Sequence, residues 1–450
     1  MNFILFAIAS GLTVLALVKP YHFAALSIWI IVFGDPVQRL THIEALTLVD
    51  ELLIAISFVA FSIHAIKTRG TIRLPQGMKW LLAFLVAGMV SGLVAGAPSK
   101  TLALGTIYAA KGAAYYFAVA QLSWTRSEVA LLTKAFLTSG LIIAVSGIAN
   151  LLIPEAWAKI FAPTGNYDVR FGNLSLIGVF SHPTTFAFMM ALFSVATFAH
   201  VRIFGTRRSL GWLSMLTILE SVLSMRRRLW LALVVGLTSV YARTKGTGTI
   251  VIASLTLGPL ALLIAWPFLT EILIGLSNEY FSDAGQSQAA RTVMTASSLE
   301  IANTGLGLGA GFGQFGSWIA ALHYSPIYRE LNFERIYGLA PLEWKGANFL
   351  TDTFWPAVIG ESGWLGLLFF AFALASIFLF FFRNSSTKTT EPYVRWLATV
   401  GVGWSFIYLI DSLAAPTFTA PHSLLFFGLA GVVFSITDKT SNPASSNIPV

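Results

Sequence analysis

The sequence predicts an all-α, polytopic membrane protein with about 12–14 transmembrane helices and one large extracytoplasmic loop. Three observations predict it. Hydrophobic residues make up 56% of the 450-residue chain and charged residues only 11%, well below the usual quarter for a globular domain. A soluble fold of that composition lacks the polar surface to cover itself, whereas a bilayer is a solvent that suits it. The apolar residues also come in runs near membrane-crossing length, and the basic residues gather in the short connections between them.

Thirteen runs follow in order, at about 2–18, 21–33, 45–66, 78–95, 101–124, 129–153, 174–204, 209–224, 229–242, 249–274, 354–382, 396–413 and 416–437. None alternates apolar and polar residues as a barrel strand does, so helices are expected. Met1 to Val18 has no basic n-region and no small-residue cleavage site, and is expected to be a retained span rather than a removed signal. The organisation is then an N-terminal bundle of about ten spans over 1–274, a long loop over 275–353, and C-terminal spans with a short tail over 354–450. Together they form one integrated membrane domain. The chain has no cysteine, which removes disulfides, thiolate nucleophiles and Cys-ligated metals.

Orientation follows from charge. Lys67, Arg69, Arg73 and Lys79 flank one connection, and Arg202, Arg207 and Arg208 mark a second. Arg243 and Lys245 mark a third, and Arg383, Lys388 and Arg395 a fourth. Strict alternation of the runs puts all four on one side, which the positive-inside rule makes the cytoplasm. The long loop then faces outward, and the net charge of +8 reflects topology rather than nucleic-acid binding.

Arg226, Arg227 and Arg228 break this pattern, because they fall on the outer side between two short runs. At ~1.5 Å per residue those runs reach only ~21–24 Å, less than the ~30 Å hydrocarbon core. The triplet is therefore expected at or just below headgroup level, where three guanidinium groups require an anion. The competing reading leaves 209–224 uncrossed and the triplet cytoplasmic.

The stretch from Gly275 to Asp352 is the one long hydrophilic passage. It carries Arg291, Arg329, Arg335 and Lys345 among Glu279, Asp283, Glu300, Glu330, Glu334 and Glu343. Gln286 to Asn303 reads as a helix with Arg291, Thr295 and Ser298 on one face and Ala290, Val293, Met294 and Ile301 offering apolar contacts. Gly305, Gly307, Gly309, Gly311 and Gly313 end it and allow close backbone approach. Gly311, Gly313 and Gly316 match G-x-G-x-x-G, but no strand precedes them and no dinucleotide site is expected. Beyond lie Trp318, Tyr324, Tyr328, Tyr337 and Trp344, residues suited to the membrane interface or to stacking on sugar rings.

Three places offer chemistry. His182, beside Pro183, is either a proton carrier or a histidine satisfied by the broken helix. Lys111, deep in run 101–124, is either a substrate-gating lysine or half of a structural pair, with Glu220 or Asp411 as partner. Asp352 is the last charge before the return into the membrane, and is either a general base for a sugar hydroxyl or a helix N-cap. The histidines are scattered, with neither H-x-x-x-H nor H-E-x-x-H, and no Walker A sequence is present, so no metal and no cofactor are expected. A sugar transfer would need a donor that carries its own leaving group.

Four pieces in order resemble the O-antigen ligase and Wzy-type polysaccharide polymerase superfamily of bacterial envelope enzymes. They are Arg170 to Phe180 followed by His182-Pro183; Ser224-Met225-Arg226-Arg227-Arg228; Arg291 on a helix running into Gly307-Leu308-Gly309; and Thr351-Asp352 ahead of Glu361-Ser362-Gly363-Trp364-Leu365-Gly366. They cover about 165–380. The resemblance implies a GT-C-like membrane glycosyltransferase of the bacterial cytoplasmic membrane, acting at its outer face on undecaprenyl-pyrophosphate-linked oligosaccharide. It implies membrane lipid and other polysaccharide-assembly proteins as partners. Arg226 or Arg227 with Arg291 and Arg170 would hold the pyrophosphate, guanidinium groups being suited to bidentate phosphate contacts. Asp352 or His182 would activate the hydroxyl. Ligases of the family commonly carry histidine where this chain has Asp352, which tilts the expectation to a polymerase. A ligase, and a lipid-linked sugar flippase without bond chemistry, are the alternatives.

Overall fold

A computed structural model describes residues 2–162, 169–170, 173–205, 208–245, 286–344, 348–386 and 391–441. The expected run 249–274, with Glu279, Asp283 and Lys345, lies outside the described residues. The helices of the first part are α1 (Asn2–Val18), α2 (Pro20–Thr41), α3 (Val49–Arg69), α4 (Met78–Val94), α5 (Ser99–Gln121), α6 (Arg126–Leu152), α7 (Pro154–Phe161), α8 (Pro183–Phe204), α9 (Arg208–Leu223) and α10 (Arg227–Lys245). The hydrophilic stretch holds α11 (Gln286–Thr304), α12 (Trp318–Leu322) and α13 (Pro326–Glu330). After it come α14 (Phe354–Asn384), α15 (Pro392–Asp411) and α16 (Ser423–Ser441).

Six of these helices (α2, α3, α6, α8, α14 and α15) are long and apolar enough to cross a membrane, and the chain is a multi-pass membrane protein. Helix starts follow local chemistry. Pro20, Pro183 and Pro392 open α2, α8 and α15, where a missing N–H costs nothing. Thr125 and Glu128 form a capping box at α6.

Two expected runs are only partly helical. Residues 175–182 are irregular, because Gly178 takes a positive φ of 53° and Pro183 cannot continue a helix from before it. Ahead of them Val169–Arg170 pairs antiparallel with Asn173–Leu174, the one β-pairing among the described residues. The last run begins with a turn through Pro416 and Pro421, and its helix starts at Ser423.

Basic connections meet at one end of the bundle. Arg73 pairs with Asp438 at 3.0 Å, and Arg243 donates to Ser385 Oγ and to the Phe382 carbonyl, each at 2.8 Å. Arg202 lies over Tyr241, and Arg126 over Tyr393. Arg228, at the other end of α10, lies at the opposite end of the bundle.

The hydrophilic stretch has its own core of Ala290, Met294, Phe315, Tyr324, Tyr328 and Phe333. Tyr324 and Tyr328 are therefore packing residues and do not face a membrane or a sugar. Trp318, Tyr337 and Trp344 remain exposed. The glycine-rich loop after α11 docks into α14, which breaks at Gly363 (φ 69°, ψ −168°). Ala310 N–H donates to the Gly360 carbonyl at 2.7 Å, and Trp364 N–H donates to the Gly307 carbonyl at 2.9 Å. The buried Glu361 Oε1 accepts from Gly313 N–H at 2.8 Å, Phe315 N–H at 3.3 Å and Ser317 Oγ at 2.5 Å. The glycines serve this backbone packing.

A Cβ at Gly363 would fall 2.2 Å from the Gly307 carbonyl oxygen. Gly363→Ala is thus expected to lower the thermal unfolding midpoint in detergent, adding ~1–2 kcal/mol of left-handed backbone strain to the clash. Gly11→Ala, in the interior of α1 and facing open space, is the control expected not to lower it.

Candidate functional site

The tight turn between α9 and α10, with Met225 at φ 57°, projects the arginine triplet from the end of α9 into the first turn of α10. Successive side chains on a helix fan about 100° apart, so one of the three is aimed best. It is Arg228. Its Nη2 lies 2.8 Å from Asp411 Oδ1, and its Nη1 donates to the Ala414 carbonyl at 2.5 Å. Asp411 closes α15 and accepts from Thr417 Oγ1 at 2.7 Å. Arg226 and Arg227, which precede Arg228, are half-buried. Of the triplet, Arg228 meets an acidic residue, Asp411, while Arg226 and Arg227, expected as pyrophosphate ligands, stand beside it.

Arg291, near the start of α11, donates from Nη2 to Asp352 Oδ2 at 2.9 Å. Asp352 stands just outside α14, whose N-cap is Thr353, so the N-cap role does not fall to Asp352. Trp355 Nε1 donates to Ser412 Oγ at 3.0 Å and ties the start of α14 to the turn after Asp411. Two arginine–aspartate pairs are thereby gathered from α10, α11, α14 and α15. Burial pushes the Asp352 carboxyl above its ordinary range, and the charges of Arg291 and then Arg228 pull it back only in part. On Arg228 and on Arg291 the Nε–H is buried with no acceptor among the described residues.

Beside this cluster a cavity of about 130 Å³ enters the bundle. Thr351, Thr353, Ser317 and Trp318 line it near Asp352, and Phe84, Phe370 and Phe427 give it an apolar body.

The other sequence candidates stand elsewhere. His182 is exposed and caps α8, its Nδ1 accepting from Thr184 N–H at 3.2 Å. Arg170 is placed by its backbone in the hairpin, and its side chain lies outside the described part.

Lys111 pairs with neither Glu220 nor Asp411. It reaches Asp50 Oδ2 at 3.0 Å and also bonds Glu51, both in the first turn of α3, while the Tyr108 ring covers it. Glu220 is buried on α9 against Gly147 of α6 and Phe186 of α8, and Asp411 is taken by Arg228.

Asp411 and Thr417 are the site residues that sequence reasoning did not assign there, and Arg228 was read only as one of three equivalent arginines. The usable signal was an acid at the end of an apolar run, opposite an arginine cluster. Compared with known proteins, the chain matches no family model, and no curated protein matches it.

Proposed function

We propose that the protein is a membrane glycosyltransferase of the polysaccharide polymerase type. It would join glycan repeat units carried on undecaprenyl pyrophosphate at the outer face of the bacterial cytoplasmic membrane. The observation that carries the reading is the convergence of Arg228–Asp411 and Arg291–Asp352 beside an apolar-bodied cavity, at the end of the bundle opposite the basic connections.

The chemistry follows from that arrangement. A hydroxyl oxygen of the acceptor glycan attacks the anomeric carbon of the donor. The bond from that carbon to the phosphate oxygen breaks, and the lipid pyrophosphate leaves with the electron pair. The hydroxyl proton passes to Asp352. Arg228 and Arg291 neutralise the leaving group, and the phosphate takes over the Arg291 contact that holds Asp352 in the resting protein. The lipid's apolar part suits the cavity's lining.

The test is purified protein with a lipid-pyrophosphate oligosaccharide. A ladder spaced by whole repeats is expected. One transfer to a second acceptor would make it a ligase. Unchanged substrate with folded protein would overturn the enzyme reading in favour of transport, which the charged cluster of Lys111, Asp50 and Glu51 within the spans would then serve.

Asp352→Asn is expected to remove activity while leaving a folded protein. In the wild type a base must be ionised, and this carboxyl is raised, so kcat/KM falls on the acid side at a pH above the ordinary aspartate range. A pH–rate profile whose acid limb persists unchanged in Asp352→Asn would remove Asp352 from this role.

A further inference from the structure

We propose that the tip of the glycine-rich loop, Leu306, is a lipid anchor seated in the outer interfacial layer of the bilayer, fixing the level of α11 and hence of Arg291. Leu306 is 96% exposed and adopts φ 56°, a left-handed conformation unfavourable for leucine. Glycines flank it on both sides, and the protein offers this leucine almost no packing. An apolar side chain held out at a strained position is stabilised by what surrounds the protein.

The level of the tip can be worked out. Its neighbour Gly307 accepts from Trp364 N–H, at the start of the lower limb of α14. From Trp364 to Arg383 that limb is ~29 Å long at ~1.5 Å per residue, which matches the ~30 Å hydrocarbon core. Arg383 stands at the end where Arg243 meets Ser385, so Trp364 stands at the opposite boundary.

The same loop reaches α4 through Gly311, packed on Gly92, next to Leu93 and Val94, which are each 71% exposed. Below Trp364, Leu365, Leu368 and Phe372 continue the exposed apolar face of α14. Trp364 donates from Nε1 to Asn303 Oδ1 at 3.0 Å, an indole with an apolar body and a satisfied polar edge, as suits an interfacial belt. The occupant is therefore the bilayer, whose apolar surface runs continuously from α4 and α14 to the tip.

The absence of native cysteine makes the test clean. Leu306→Cys, carrying a nitroxide in lipid nanodiscs, is expected to collide readily with oxygen and several-fold less with a water-soluble nickel chelate than the same label on Tyr337→Cys. Leu368→Cys provides the in-membrane reference. Chelate access at Leu306 equal to that at Tyr337 would overturn the proposal. Because Leu306 makes so little protein contact, Leu306→Cys should fold. Lipid-nitroxide quenching of a bimane label at the same site is the second measurement, and an unquenched label would also overturn it. Neither result depends on glycan transfer.

Discussion

Arg228→Ala is expected to melt well below the wild type and to make no product. The change strands Asp411, whose side chain is 3% exposed and, among the described residues, keeps Thr417 Oγ1 as its hydrogen-bond donor. Losing one member of so buried a pair costs about 3–5 kcal/mol. Adding Asp411→Asn removes the stranded charge and should recover most of the stability, while activity stays lost because the guanidinium is still missing. Thermal unfolding in detergent checks the first statement and the glycan ladder the second. Activity restored in the double variant would confine Arg228 to a structural role. Arg291→Ala should behave differently. Its pair is half-buried, with side chains 28% and 32% exposed, so stability should move by less than in Arg228→Ala, whose partner Asp411 is buried. Transfer should still fall about 10²–10³-fold, as when a transition-state donor is removed.

Lys111→Met should be the most damaging single change away from the site. It leaves Asp50, whose side chain is 9% exposed, next to Glu51 with no cation between them. Two stranded carboxyl groups cost about 3–5 kcal/mol or must take up protons. Restoring electrical neutrality with Asp50→Asn and Glu51→Gln in the same chain is expected to return the unfolding midpoint to near that of the wild type. An unchanged midpoint for Lys111→Met alone would show that the cluster contributes nothing to stability.

Much of the architecture was readable because it rests on local signals. Apolar run length marks α3, α6 and α14, and the glycine series after a polar helix marks where α11 ends. Partners were harder to read. Lys111 and Asp50 are 61 positions apart, and Asp50 sits inside the apolar run 45–66 without marking its end, so a lysine's need for an acid named no particular acid. The triplet had the same limit from another cause. Three consecutive arginines look equivalent in sequence, and only the turn at Met225 decides that Arg228 reaches Asp411. Residues 175–182 read as part of a span because their composition is apolar, yet Gly178 and Pro183 deny them a helix. Asp352 was visible as the last charge before a span, and its contact with Arg291 needed the loop to fold back on its own core.

The break at Gly363 divides α14 into two pieces that lie against each other. A span answers a thicker or thinner bilayer by changing its tilt. Here the upper piece is clamped to the glycine loop through Gly360 and Glu361 and folds back on the lower one, the Phe354 ring lying 5.3 Å from that of Phe370. A change of tilt in the long piece would thus be passed through that aromatic contact to the start of α14, beside Asp352 and its partner Arg291.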